Sequence, residues 1–271
     1  MTPAPLRQHR PVATATVSPL RWLVSWWEVI FFGAVLLVLA LSPSSYRDPR
    51  MRAALARHAW TDTAPILLGF SMLSALLTVV LTRIVVVTAR SYGLSQYALE
   101  MVIRVLVLEL IPLTAALFVA LRCTIPNGAA LAEMRRTGRF QALRRAGVDP
   151  LVREVLPRML AGAFSAITLA ALSCFVAAVL AYLAVYQLTP AGLPAYTRMF
   201  SHVFNPSVSL IFTIKTVFFA LAVSVIPMAS GAYDDYAAAP SSRESAALQG
   251  LVRMFAVLLL LESVSLVGNY Y

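Results

Sequence analysis

Five stretches of this sequence stay apolar for as long as a helix needs to cross a lipid bilayer, and that restricts the fold more than any other feature. The clearest is 65–87, PILLGFSMLSALLTVVLTRIVVV, with one charge, Arg83, near its end. At 1.5 Å per residue, about 20 residues cover the roughly 30 Å of hydrocarbon. The others are 101–121, with Arg104 and Glu109; 159 to about 185, with no charge; 208–228, with Lys215; and 251–267, with Arg253 and Glu262. Lipid offers no hydrogen-bond partners, so an open chain crossing it must be helical to satisfy its own backbone. With 60% of 271 residues hydrophobic and 13% charged, there is too little polar surface to clothe a water-soluble molecule. The predicted class is an all-α integral membrane protein with five transmembrane helices.

Charge sets the orientation. All 22 basic residues except Lys215 are arginine, and eight of them stand between residues 122 and 158 against three acids. The positive-inside rule puts that segment in the cytoplasm. Counting from it, 186–206 lies outside with one arginine, Arg198; 230–250 lies inside; and Tyr271 ends outside. Arginines gathered in short segments between apolar runs reflect membrane topology rather than nucleic-acid binding. The run 22–41 is also apolar enough to span. However, Arg7, Arg10 and Arg21 precede it and Arg47, Arg50, Arg52 and Arg57 follow it, so spanning would strand one basic cluster on the wrong side. Trp22, Trp26 and Trp27 at one end favour headgroup level. The segment is therefore read as a helix lying in the cytoplasmic interface, or dipping in and returning, in preference to a sixth span. The chain divides into an N-terminal tail with this interfacial helix, 1–61, and a five-span membrane domain, 62–271.

Charges inside the apolar runs are the first candidates for function. A lone charge at the bilayer centre costs at least about 2.5 to 3.5 kcal/mol, so it pairs or faces water. Lys215 is expected to meet Glu109, Glu262 or both around a polar cavity, either as an architectural ion pair or in handling substrate. Arg104 and Arg253 lie near span ends and can snorkel. The basic cytoplasmic segment reads as two short helical stretches. The first, 129–146, ends at Gly147 as a C-terminal cap; the second starts at Pro150 behind Asp149 as its cap. Met134, Phe140, Leu143 and Val148 form an apolar set there. Arg135, Arg136, Arg139, Arg144 and Arg145 offer charge to an acidic protein face or to anionic headgroups.

Other chemistry finds no support. A P-loop needs a glycine-rich turn ahead of Lys-Ser/Thr, whereas Lys215-Thr216 follows SLIFTI. There is no GxSxG, and His9, His58 and His202 are scattered, read as solvated loop residues without a metal. Cys123 and Cys174 read as packing residues. No cofactor is expected and no enzyme activity; the adjacent Asp234 and Asp235 are the one acidic pair that a lipid-acting membrane enzyme could use.

The residues Leu108-Glu109-Leu110-Ile111-Pro112, Thr114-Ala115-Ala116-Leu117 and Ala120-Leu121-Arg122 resemble the RELGPxxTALLxAGR segment of the MlaE/YrbE family of ABC-transporter permeases. Met134-Arg135, Thr137, Ala142-Leu143-Arg144, Gly147-Val148-Asp149-Pro150 and Leu156-Pro157-Arg158 resemble that family's MRxTEQIDALxxxGVDPxxxLxxPR stretch. Ile214-Lys215-Thr216-Val217-Phe218 looks like the IKSxxF start of its fourth span. The resemblance runs from about Pro65 to the C-terminus. It implies a multi-pass inner-membrane permease that moves phospholipid or another bulky lipid, working as a homodimer or as a heterodimer with a paralogue. It also implies a cytoplasmic coupling helix docking on a separate ABC ATPase subunit, through Met134, Thr137, Leu143 and Asp149, and an MCE-domain protein on the outer side. A non-transporting scaffold that anchors an ATPase or a lipid-binding protein is the alternative. The sequence departs from the family where acids fall on Ala130 and Gly138 and a glycine on Ile111, and it adds Arg136 and Arg139, which changes the ATPase surface it could accept.

Overall fold

The computed structural model describes residues 19–233 and 243–270, so Asp234, Asp235 and His9 lie outside the described residues. Among the described residues the regular structure is helical. Helix α1 is Pro19–Leu41, α2 is Pro49–Ser91, α3 is 95–136, α4 is Arg139–Arg145, α5 is Leu151–Tyr186, α6 is Leu193–Val203, α7 is Pro206–Tyr233 and α8 is Arg243–Tyr270. Five of them, α2, α3, α5, α7 and α8, are long and apolar enough to cross a membrane, matching the five runs.

Helix α3 is the hub, the most buried of the five. Two π-helical stretches interrupt it, Ile103–Leu110 and Ala120–Thr124, and a third, Leu151–Val155, opens α5. Each ends two residues before a proline: Pro112, Pro126 and Pro157. Proline lacks an N–H and its ring collides with the carbonyl four residues back, which ordinarily kinks a helix. Here the preceding residue bonds five back instead of four, Ile111 to Leu106, Ile125 to Ala120 and Leu156 to Leu151. The wider turn accommodates the ring and the helix continues.

Helix α2 lies along α5, turning Ile66, Phe70, Ser74, Thr78 and Thr82 inward at four-residue spacing. Small hydroxylated residues let the backbones approach closely, and Thr63 Oγ1 lies 2.7 Å from Ser165 Oγ across the interface. Its opposite face, including Leu68, Met72, Leu76, Val80 and Ile84, is exposed for lipid. Asp48 starts α2 by accepting a hydrogen bond from the Arg50 N–H at 2.9 Å, with Pro49 in the first turn.

The middle of α1 packs on the arginine-rich ends of the spans. Phe32 and Leu36 are fully buried with Met51, Leu131, Phe140, Leu156 and Met228, while Trp27, Ile30, Phe31, Val38 and Leu41 are exposed. A sixth span would bring its middle to the bilayer centre; this helix crosses the basic end, as an interfacial helix does.

Two expectations change. The expected stretch 129–146 is two helices, because α3 runs on from the membrane to Arg136 and breaks at Gly138, whose φ of +73° suits glycine. His58 belongs to α2, half-buried, and His202 to the last turn of α6, so neither is a loop residue. The outside segment 186–206 contains a helix, α6, pinned by aromatic contacts that run Tyr182, Tyr196, Phe200, Phe204, Phe212. The caps hold: Gly147 has φ +72° with Val148 N–H bonded to the Leu143 carbonyl, and Asp149 accepts from the Leu151 N–H at 2.9 Å.

Candidate functional site

The buried charges converge. Lys215 lies about 14 Å along α7 from its outer end, at 1.5 Å per residue. Its ammonium is ion-paired with Glu109 of α3 and lies 2.9 Å from Glu262 Oε2 of α8. The lysine side chain is 2% exposed, and the carboxylates 10% and 14%. Sequence reasoning left open which acid Lys215 meets; it meets both, so one ammonium ties three helices together. The surrounding groups were not singled out in the sequence. Asn269 of α8 donates its Nδ2–H to Glu109 Oε1 at 3.2 Å, Lys215 also donates to the Leu108 carbonyl at 3.3 Å, and the Phe219 ring centroid lies 5.6 Å from the ammonium. Leu108 stands four residues before Pro112, which has no N–H to offer it, so Lys215 supplies the missing donor. Two carboxylates on one ammonium, drawn from three helices, suit a clamp on helix register. Arg104 pairs along its own helix with Glu100 at 3.0 Å.

The second region is the basic end. Met134 is half-buried against the core under α1, and the Thr137 hydroxyl caps α3 by donating to the Glu133 carbonyl at 3.0 Å. Leu143 is half-buried on α4, and Asp149 is exposed at the start of the next helix. These four positions thus run from the last turn of α3 through α4 to the start of α5. Arg135 anchors it by donating to the Ala232 carbonyl of α7 at 3.2 Å. Above it the backbones of α3 and α7 touch: a Cβ on Gly128 would stand 2.4 Å from the Pro227 carbonyl oxygen, and one on Gly231 2.2 Å from that of Gly128. Cys123 donates to the Asp62 carbonyl at 3.3 Å and Asn127 to the Asp62 carboxylate at 3.0 Å, fastening α3 to α2. Beside this turn a cavity of about 550 Å³ opens among α2, α3, α4 and α5, its wall rich in arginine.

No curated protein matches the chain. The five apolar helices, the interfacial helix and the arginine-rich turn between the second and third spans are the features that the resemblance implied, and the family model described as Permease MlaE matches residues 55–267. The chain therefore belongs to the MlaE permease family, multi-pass membrane subunits of ABC transporters.

Proposed function

We propose that this chain moves phospholipid or another bulky lipid between the inner membrane and an MCE-domain partner, driven by a separate ATPase. The family match over 55–267 carries this reading. The sequence has no P-loop, so hydrolysis belongs to another subunit. That subunit docks on the end of α3 and on α4, where Arg136, Arg139, Arg144 and Arg145 are exposed. Met134, Thr137, Leu143 and Asp149 act as the coupling residues. Thr137 closes α3 and Asp149 opens the helix leading into α5, so a push on α4 reaches both spans. A second permease copy, identical or paralogous, completes the pathway beside the lipid-exposed faces. Glu109, Lys215 and Glu262 hold the helix register that the moving lipid meets.

The test is mild-detergent purification of the tagged chain with its co-expressed genomic neighbours, followed by mass spectrometry of the proteins and lipids retained. An ATPase, an MCE protein and bound phospholipid are the expected result. A chain that comes through with an ATPase but moves no lipid in reconstituted vesicles is a scaffold, and the proposal is then wrong.

A further inference from the structure

The basic cavity borders the coupling region through Met134 and Arg139, but its walls from α2 and α5 are unused by the reading above, and it stands apart from the buried charge clamp. Arg50, Arg57, Arg139, Arg153 and Arg158 line it, with Glu154 as its one acid and with His58. Glu154 is already engaged, 2.8 Å from Arg158 and 3.4 Å from Arg139, and Asp48 lies 3.8 Å from Arg153. Arg50 and Arg57 have no ion pair among the described residues. They stand seven residues apart on α2, two turns on one face, and both line the cavity. Two uncompensated guanidinium groups in a concave site leave an excess of positive charge that an anion would neutralise.

The level of the cavity says where that anion comes from. Trp60 is 74% exposed just before the apolar part of α2 begins, and tryptophan favours the headgroup layer. Arg57 stands three residues earlier, about 5 Å further toward the basic end at 1.5 Å per residue, and Met51, next to Arg50, is buried against α1, the helix read as interfacial. The lining also includes Ala53, Ala54 and Met134, a small apolar surface of the kind that takes a glycerol backbone. At about 550 Å³ the site falls within the range of roughly 300–1,000 Å³ typical of small-molecule pockets, larger than a bare phosphate requires.

We propose that this cavity binds the phosphate headgroup of an anionic phospholipid from the cytoplasmic leaflet. Planar guanidinium groups grip phosphate oxygens in pairs, which selects phosphate over a diffuse negative surface. The surplus positive charge selects a headgroup without its own ammonium.

The test places the full chain in nanodiscs of phosphatidylcholine with a minority of phosphatidylglycerol and counts phosphatidylglycerol retained on the protein by native mass spectrometry. The double variant Arg50→Gln/Arg57→Gln is expected to bind it roughly tenfold or more weakly, because two charge-assisted contacts are lost. Arg50→Lys/Arg57→Lys keeps part of the binding, and Arg47→Gln/Arg52→Gln, which removes the same charge from exposed positions beside the cavity but outside its lining, keeps all of it. Equal retention by wild type and R50Q/R57Q overturns the proposal, as does equal loss in R47Q/R52Q. Complete displacement by inorganic phosphate at matched concentration overturns the lipid source. A wild type that retains no phosphatidylglycerol, but needs Arg50 and Arg57 to hold its ATPase, assigns the cavity to a protein carboxylate instead. Loss of the cavity's lipid leaves the transporter reading standing, because that reading is tested by the co-purified ATPase and MCE protein and by lipid movement in vesicles.

Discussion

Replacing Lys215 with alanine removes the one cation from a buried cluster of two carboxylates. In the folded protein Glu109 and Glu262 are 10% and 14% exposed, and both reach Lys215. Without it, Glu109 keeps the Asn269 amide at 3.2 Å but is left beside the Glu262 carboxyl with no cation between them, and the Leu108 carbonyl loses its donor. Breaking a buried pair by removing one partner costs about 3–5 kcal/mol, since the remaining charge is still desolvated. The lost carbonyl bond adds roughly 1 kcal/mol. Lys215→Ala is therefore expected to lose about 4–6 kcal/mol, read as the shift in a reversible detergent-denaturation midpoint followed by tryptophan fluorescence. The triple variant K215A/E109Q/E262Q separates charge from packing: with no carboxylates to strand, it should recover most of the loss. If K215A unfolds within about 0.5 kcal/mol of wild type, a shift typical of an uninvolved surface substitution, the cluster is not a clamp. If the triple variant is no better than K215A, the deficit is a cavity effect and the charge argument fails.

Four further predictions rest on the geometry. Gly128→Ala or Gly231→Ala must push α3 and α7 apart, because the new Cβ meets backbone within 2.4 Å, and each should lower stability by about 1–3 kcal/mol in the same assay. Gly69→Ala, with nothing within 4 Å, should be neutral or stabilising by up to about 1 kcal/mol. Gly138→Ala forces a side chain into φ +73° and should cost about 1–2 kcal/mol locally, seen as faster amide exchange at the α3–α4 turn and weaker ATPase retention. Tyr196 donates to the Ala178 carbonyl at 2.8 Å, and burial pushes its phenol up to about 12. The folded state holds the neutral form, so this contribution is complete below about pH 10, the ordinary tyrosine value, and fades as pH climbs toward the folded value; the late step in absorbance titration at 295 nm should vanish in Tyr196→Phe.

The spans were legible because apolar length is a direct statement about lipid, and the clamp because a lone lysine in hydrocarbon demands an acid. The boundaries were less legible for local reasons. After Leu121 the sequence turns polar, which reads as the end of a helix, but no residue breaks the backbone until Thr137-Gly138; Pro126, which looks like a breaker, is absorbed by a π turn. Helix α6 is short, and only the spacing of Leu193, Tyr196, Phe200 and Val203 on one face announces it. Asn269 was missed because a polar residue beside a chain end gives no sign of facing inward. His58 was read as solvated because the wall it shares with Arg57 is assembled from four helices, and no local pattern encodes that.

The π turns tie these observations together. A widened turn inside a membrane leaves carbonyls that lipid cannot satisfy, so each must find a donor within the protein. Lys215 reaches the Leu108 carbonyl, and Cys174 donates to that of Val107 at 3.4 Å, so the first π stretch is held by side chains from α7 and α5. Further toward the basic end, Gly128 fixes α3 on α7 by backbone contact, and Lys215 fixes the same two helices again through Glu109. Helices α3 and α7 are thereby fastened at two points, with the second π stretch, Ala120–Thr124, lying between them. The two fastenings stand on either side of a turn whose in-helix bonding is already irregular, so that turn is the part of α3 least held by its own backbone and most dependent on its neighbours.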